Sequence, residues 1–169
     1  WRGVQVWSVG EAVQLQKGLE RLARRASSAS WPEYGELDCF ACHHSLTKPE
    51  DSWRQEQGYA GRTPGVPAWN RSRYIVFRHV AKRINADKAQ QLDADIAKLT
   101  ALLGARNGNP QEIATTATQA AATAGQLAQQ LNAKSYDQAF SYAVMKSIAQ
   151  DGDAISAQGQ RSAEQVAMS

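Results

Sequence analysis

Long apolar runs are missing from this 169-residue chain, and its mean hydropathy is negative. A transmembrane helix is therefore excluded. A large excess of one charge is missing too: the formal net charge is only +3, which gives little support for a nucleic-acid partner. No internal repeat is visible. The chain opens at Trp1 with neither an initiator Met nor the apolar stretch of a signal peptide. Tryptophan disappears after Trp69. Cysteine is the scarcest resource of all, with two residues, and whatever explains one must explain the other. The length suffices for one ordinary domain, or two small ones, with a real core.

Both cysteines fall in Cys39-Phe40-Ala41-Cys42-His43, which spells C-x-x-C-H. That pattern reads as the covalent attachment site of a c-type haem. Two thiols at this spacing can each add to one vinyl group of the same porphyrin, and the next residue, His43, is carried under the iron as proximal ligand. A redox dithiol would want a βαβ context, and no strand pattern surrounds the motif. A zinc site of Cys39, Cys42, His43 and His44 fails on geometry, because structural zinc sites draw their second ligand pair from a distant segment. A disulfide across so short a loop would be strained and would stabilise little. The cofactor expected is one covalent haem c. Its two propionates, if ionised, would bring the net charge to about +1. Covalent haem attachment takes place outside the bacterial cytoplasm, so the expected location is periplasmic or otherwise exported. Trp1 is then a processed terminus or a cut into a longer polypeptide.

Composition changes near Asn85, dividing the chain into a haem c-binding region, 1–84, and an Ala-rich framework or docking region, 85–169. All three histidines, both cysteines and most aromatics lie in the first. Its opening helix is predicted from a capping box of Ser8 and Glu11 and from Ala12, Leu15, Leu19, Leu22 and Ala26 at three-four spacing. From Trp31 to Ala68, prolines and glycines break every period, and the segment reads as an irregular, aromatic-rich wrapper for the macrocycle. A helix is expected from about Asn70 to Ile84, with Tyr74, Phe77, Ala81 and Ile84 inward. In the second region, Leu92, Ile96, Leu99 and Leu103 form a stripe that stops at Gly104. Asn109, Pro110 and Glu112 then start a helix whose stripe is Ile113, Ala117, Ala120, Ala124, Leu127 and Leu131. Ser135 and Gln138 start another, with Phe140, Ala143, Val144 and Ile148 inward, and after Gly152 a weaker segment carries Ile155 and Val166. The fold class expected is all-α: an irregular haem-binding loop region joined to an antiparallel Ala-rich helix bundle.

The residue across the iron from His43 decides the function. His44 cannot fill that place, because its neighbour holds the opposite side of the same iron. It is either a polar residue hydrogen-bonding a propionate or solvent, or a ligand to a second haem elsewhere. His79 is a candidate distal ligand, although helical geometry puts it with Ser72, Ile75 and Arg83 on a solvent-facing side. Met145 and Met168 are the remaining candidates, and an empty sixth site stays open. Arg54, Arg62 and Arg73 are candidate partners for the propionates, since guanidinium matches carboxylate geometry; Arg71 and Arg78 lie in the same cluster. Trp31, Trp53 and Trp69 read as core or haem-packing residues.

The stretch from Trp31-Pro32-Glu33-Tyr34 through Cys39-Phe40-Ala41-Cys42-His43-His44, followed by Ser52-Trp53-Arg54-Gln55 and Gly61-Arg62-Thr63-Pro64-Gly65, resembles a known module. It is similar to the C-terminal haem module of multihaem c-type cytochromes, relatives of the tetrahaem family that accepts electrons from hydroxylamine oxidation. The resemblance covers roughly residues 4–84. It implies an exported electron-transfer protein with Cys39 and Cys42 as thioether links and His43 as axial ligand. A single C-x-x-C-H departs from the multihaem pattern and agrees with a module cut from, or docked to, something larger. The leading expectation is an electron carrier or subunit that passes single electrons to other haems or to a redox partner protein. The alternative is an open-site haem protein that binds or reduces a small ligand such as peroxide or a nitrogen oxide. A scaffold subunit with a structural haem is a third reading.

Overall fold

The computed structural model describes residues 1–38, 66–156, 158 and 160–167. Among these, regular structure is helical, with no sheet. The helices are α1 (Arg2–Ala26), α2 (Ser72–Ile84), α3 (Ala86–Gly104), α4 (Pro110–Ala133), α5 (Gln138–Gln150), α6 (Gly152–Ser156) and α7 (Gln160–Ala167). A single 3-10 turn, Tyr34–Glu36, follows α1.

The core stripe of α1 falls where the three-four spacing puts it: Ala12, Leu15, Leu19, Leu22 and Ala26 are all buried. Its start does not. The helix begins at Arg2, and Ser8, expected as a cap, is a fully buried residue within it. Trp7, partly buried against the core, lies upstream of the capping-box signal and within the helix. α1 runs antiparallel to α4, its principal packing partner. Gln5 near its start donates to the Asn132 carbonyl at 2.8 Å, near the end of α4. Nearer the middle, the helices come close at Gly125, where an added Cβ would lie 3.0 Å from the Gln16 side chain.

α3 and α4 form a helical hairpin closed by the ion pair Lys98–Glu112 at 2.9 Å. Asn109 caps α4 by accepting from the Gln111 and Glu112 amides, with Pro110 at the first helical position. The expected stripes of both helices are buried throughout. α5 also forms, but Asp137 rather than Ser135 caps it, by accepting from the Phe140 amide at 2.8 Å. Asp137 directly precedes the first helical residue, the position from which a side-chain oxygen reaches the free amides of the first turn.

α2 departs furthest from expectation. Tyr74, Phe77 and Ala81 are buried as predicted, but so are Ser72, Ile75, Val76, His79 and Val80. Two sets of helices explain this. α1, α3 and α4 cover one side, and α5 and α7 cover the other. His79 therefore faces α5 rather than solvent. Asn85 then serves both α2 and α3: it ends the first and caps the second, its side chain accepting from the Lys88 amide at 3.0 Å. One apolar cluster unites residues of α1 to α6, so the two compositional regions share a core.

Candidate functional site

The C-x-x-C-H motif lies outside the described residues, and with it Cys39, Cys42, His43, His44, Trp53, Arg54 and Arg62; so does Met168. What the structure does describe is the base from which that segment departs and to which it returns. Leu37 and Trp69 form an isolated antiparallel bridge. The Asp38 amide donates to the Ala68 carbonyl at 2.7 Å, and the Asn70 amide donates to the Glu36 carbonyl at 3.0 Å. This stem is tied shut one residue before Cys39.

The stem is clamped to α1 through Glu36. Its side chain is only 3 % exposed, and guanidinium groups satisfy it: Arg21 Nε at 2.8 Å and Nη2 at 3.2 Å, and Arg25 Nη1 at 2.8 Å. Arg21 and Arg25 are four residues apart on α1 and so project from the same side. Two cations on a carboxylate in a nearly dry site form charge-assisted bonds that fix both the stem's position and its direction. Trp31 and Trp69, both half-buried, pack against the shared core beside it.

Beneath the stem lies a cleft of roughly 50 Å³, lined by Leu15, Gly18, Leu19 and Arg21 of α1, Gly35 and Glu36, and the run Trp69 to Arg71 with Arg73 and Tyr74. Three of these residues carry guanidinium groups and one a carboxylate, so the lining is net cationic. Tyr74 is 7 % exposed, and its buried hydroxyl has no hydrogen-bond partner among the described residues. Arg73 itself is exposed and donates to the Gln14 side chain of α1.

His79 lies elsewhere, in a polar knot between α2 and α5. Its Nδ1 is 2.8 Å from Ser147 Oγ and its Nε2 is 3.1 Å from Asp151 Oδ2. Arg78 also pairs with Asp151. Burial pushes the imidazole down to about 4, and the nearby cations Arg78, Lys82 and Arg83 add to the shift. Both ring nitrogens are thus engaged, and ligation of iron by His79 would require one of these contacts to break. Met145 of α5 is 66 % exposed. It stands at the lip of an apolar cavity of about 450 Å³ lined also by Val4, Trp7, Val144, Ile148 and Val166. That cavity is at the other end of α1 from the stem, Trp7 and Arg21 being about 21 Å apart along a helix.

Among the described residues, no group of three or more His, Cys, Asp or Glu side chains could hold a metal ion. Sequence reasoning missed Glu36, Tyr74, Ser147 and Asp151. A readable hint existed only for the first, in the paired arginines at i and i+4 ahead of a lone Glu in a turn. No protein-family model matches the chain, and no curated protein or solved structure matches it.

Proposed function

We propose that this chain is a c-type cytochrome module that carries one covalent haem and passes single electrons to other haems or to a redox partner protein. The observation that carries the reading is Cys39-Phe40-Ala41-Cys42-His43, which gathers both cysteines of the chain at the spacing of two vinyl groups, with an imidazole next in line. The donor set fits the group: two thiols for thioether bonds and one neutral nitrogen for iron. When bound, the haem supplies the one-electron couple, and the protein's own residues hold it. Cys39 and Cys42 would make the covalent links and His43 would stand beneath the iron. The Glu36–Arg21–Arg25 clamp and the Leu37–Trp69 bridge would fix the platform, while Trp31 and Trp69 would offer apolar surface. In this reading the aromatic-rich segment from Trp31 to Ala68 would serve the haem and the Ala-rich helices form the supporting bundle. The protein is exported, the compartment where such attachment takes place. No described helix is long and apolar enough to cross a membrane.

A second reading draws on His79. With Ser147 and Asp151 on its two nitrogens, the one described histidine is committed to helix packing. This favours an open sixth position, at which the haem would bind or reduce a small ligand such as peroxide or a nitrogen oxide.

Visible spectra of the oxidised and reduced chain, with and without carbon monoxide, separate the two. Electron transfer predicts a six-coordinate low-spin spectrum that carbon monoxide leaves unchanged. Rapid carbon monoxide binding to a five-coordinate iron would replace it with the open-site reading. Covalent haem retained in the Cys39→Ala, Cys42→Ala double variant would overturn both.

A further inference from the structure

We propose that Ser147 is an activated nucleophile: His79 is its general base, Asp151 is the positioning residue of that base, and the substrate is a small carboxylic ester. The inference stands apart from the haem reading and draws on the polar knot between α2 and α5. The first observation is the proton that the knot fixes. An ionised Asp151 can only accept, so the Nε2 that lies 3.1 Å from its Oδ2 carries the ring proton. A neutral imidazole has one such proton, which leaves Nδ1 bare. The Ser147 hydroxyl, 2.8 Å away, therefore donates to Nδ1. A hydroxyl aimed at a basic nitrogen, with a carboxylate on the far side of the ring, is the order in which serine nucleophiles are activated; here the two ring nitrogens are exchanged.

The second observation is the mounting. Ser147 and Asp151 are four residues apart, in the last turn of α5 and at its C-cap, and so project to the same side. His79 meets both from α2, and Arg78 holds Asp151 from the neighbouring position. Side chains mounted on packed helices keep their geometry better than side chains on loops. The third is exposure. The His79 side chain is only 8 % exposed, whereas Ser147 is half-buried, so the base is shielded behind a nucleophile that solvent reaches. The fourth is charge. Arg78, Lys82 and Arg83 act on the imidazole. They weaken it as a base, and they favour the negative charge that develops on an ester oxygen beside it. The acids facing them are Asp151, shared by His79 and Arg78, and Asp93, 3.8 Å from Lys82.

In the reaction, Ser147 Oγ adds to the ester carbonyl carbon while its proton passes to Nδ1. The bond from that carbon to the alcohol oxygen then breaks, the alcohol takes the proton, and Ser147 is left acylated. Water gives a proton to Nδ1 and adds to the acyl carbon, and the carboxylic acid leaves as the serine regains its proton.

The test gives the full chain p-nitrophenyl acetate and locates acetyl groups by peptide mass spectrometry. Acetyl on Ser147 is expected, with a burst of about one p-nitrophenol per chain. Ser147→Ala should abolish the burst, and His79→Gln, with its helical signal intact, should slow it about 100-fold. Ser141→Ala, which removes a hydroxyl of the same helix that donates to the Asp137 carbonyl, should change nothing. The pH profile is a readout that packing alone would not move. Acetylation of Ser147 should be level above about pH 5 and fall as the pH passes down through about 4, where His79 takes a proton. A rate that climbs with hydroxide across the whole range would mark a serine without a base and overturn the proposal. Folded wild-type chain with Ser147 unacetylated would overturn it whatever the variants do, and so would an undiminished rate in folded His79→Gln.

Discussion

Glu36 has no apolar role, yet it is among the most buried side chains of the described structure. A carboxylate in such a place is tolerable only because two guanidinium groups neutralise it through three short hydrogen bonds. Removing its charge leaves Arg21 and Arg25 facing a neutral amide. Both arginines are partly exposed and can regain water, which limits the loss. Glu36→Gln should therefore destabilise the chain by about 2 kcal/mol, less than the cost of breaking a fully buried pair, as read from urea unfolding. His79 supplies a second residue-scale prediction. The folded protein holds its imidazole at about 4, whereas an unfolded histidine titrates near 6.5. Between those values the unfolded chain binds more protons. The stability contributed by a neutral His79 is thus complete above about pH 6.5 and is lost as the pH falls toward 4. In His79→Gln the decline over that window should be shallower than in the parent chain. Equal slopes in urea titrations at pH 7, 5.5 and 4.5 would show that His79 is not the group responsible.

At the scale of elements, legibility followed locality. α3 and α4 could be read almost residue by residue, because their stripes, the Asn109 cap and Pro110 are all neighbours in sequence. α2 was misread on one side for the opposite reason. The surface that buries Ile75 and His79 comes from α5 and α7, some seventy to ninety residues later, and periodicity within α2 carries no record of it. The candidate site divides the same way. Cys39, Cys42 and His43 form a motif legible by spacing alone, on which the proposed haem rests, whereas Glu36 acquires its partners only when α1 and the stem converge. The correction at α5 can be tested directly. Asp137→Ala removes the side chain that accepts from the Phe140 amide and should cost about 1 kcal/mol. Ser135→Ala, at the position the sequence favoured, should change the midpoint of thermal unfolding very little. A larger effect at Ser135 than at Asp137 would restore the original assignment of the helix start.

For the whole molecule, the decisive relation is between the segment that carries Cys39-Phe40-Ala41-Cys42-His43, for which a haem is proposed, and the core of the described helices. One continuous apolar cluster joins α1 to α6 through residues such as Leu19, Phe77, Leu99, Leu127 and Ile155, each 0–1 % exposed. Each of its described members lies in a helix. Burying such side chains contributes about 1.5–3 kcal/mol each, the larger part of what opposes chain entropy. The stem, in turn, is fastened by Glu36 and by the Leu37–Trp69 bridge, groups that do not depend on the cofactor. The helices should therefore fold before and without the haem, leaving the segment from Cys39 onward to be organised around it. The Cys39→Ala, Cys42→Ala chain, purified free of haem, is expected to keep most of the parent's far-ultraviolet helical signal and to unfold cooperatively in urea. Its stability should be reduced by whatever the bound macrocycle adds through linkage. Collapse of the helical signal in that variant would place the haem within the core itself, and the stem would then be a consequence of cofactor binding rather than the platform that receives it.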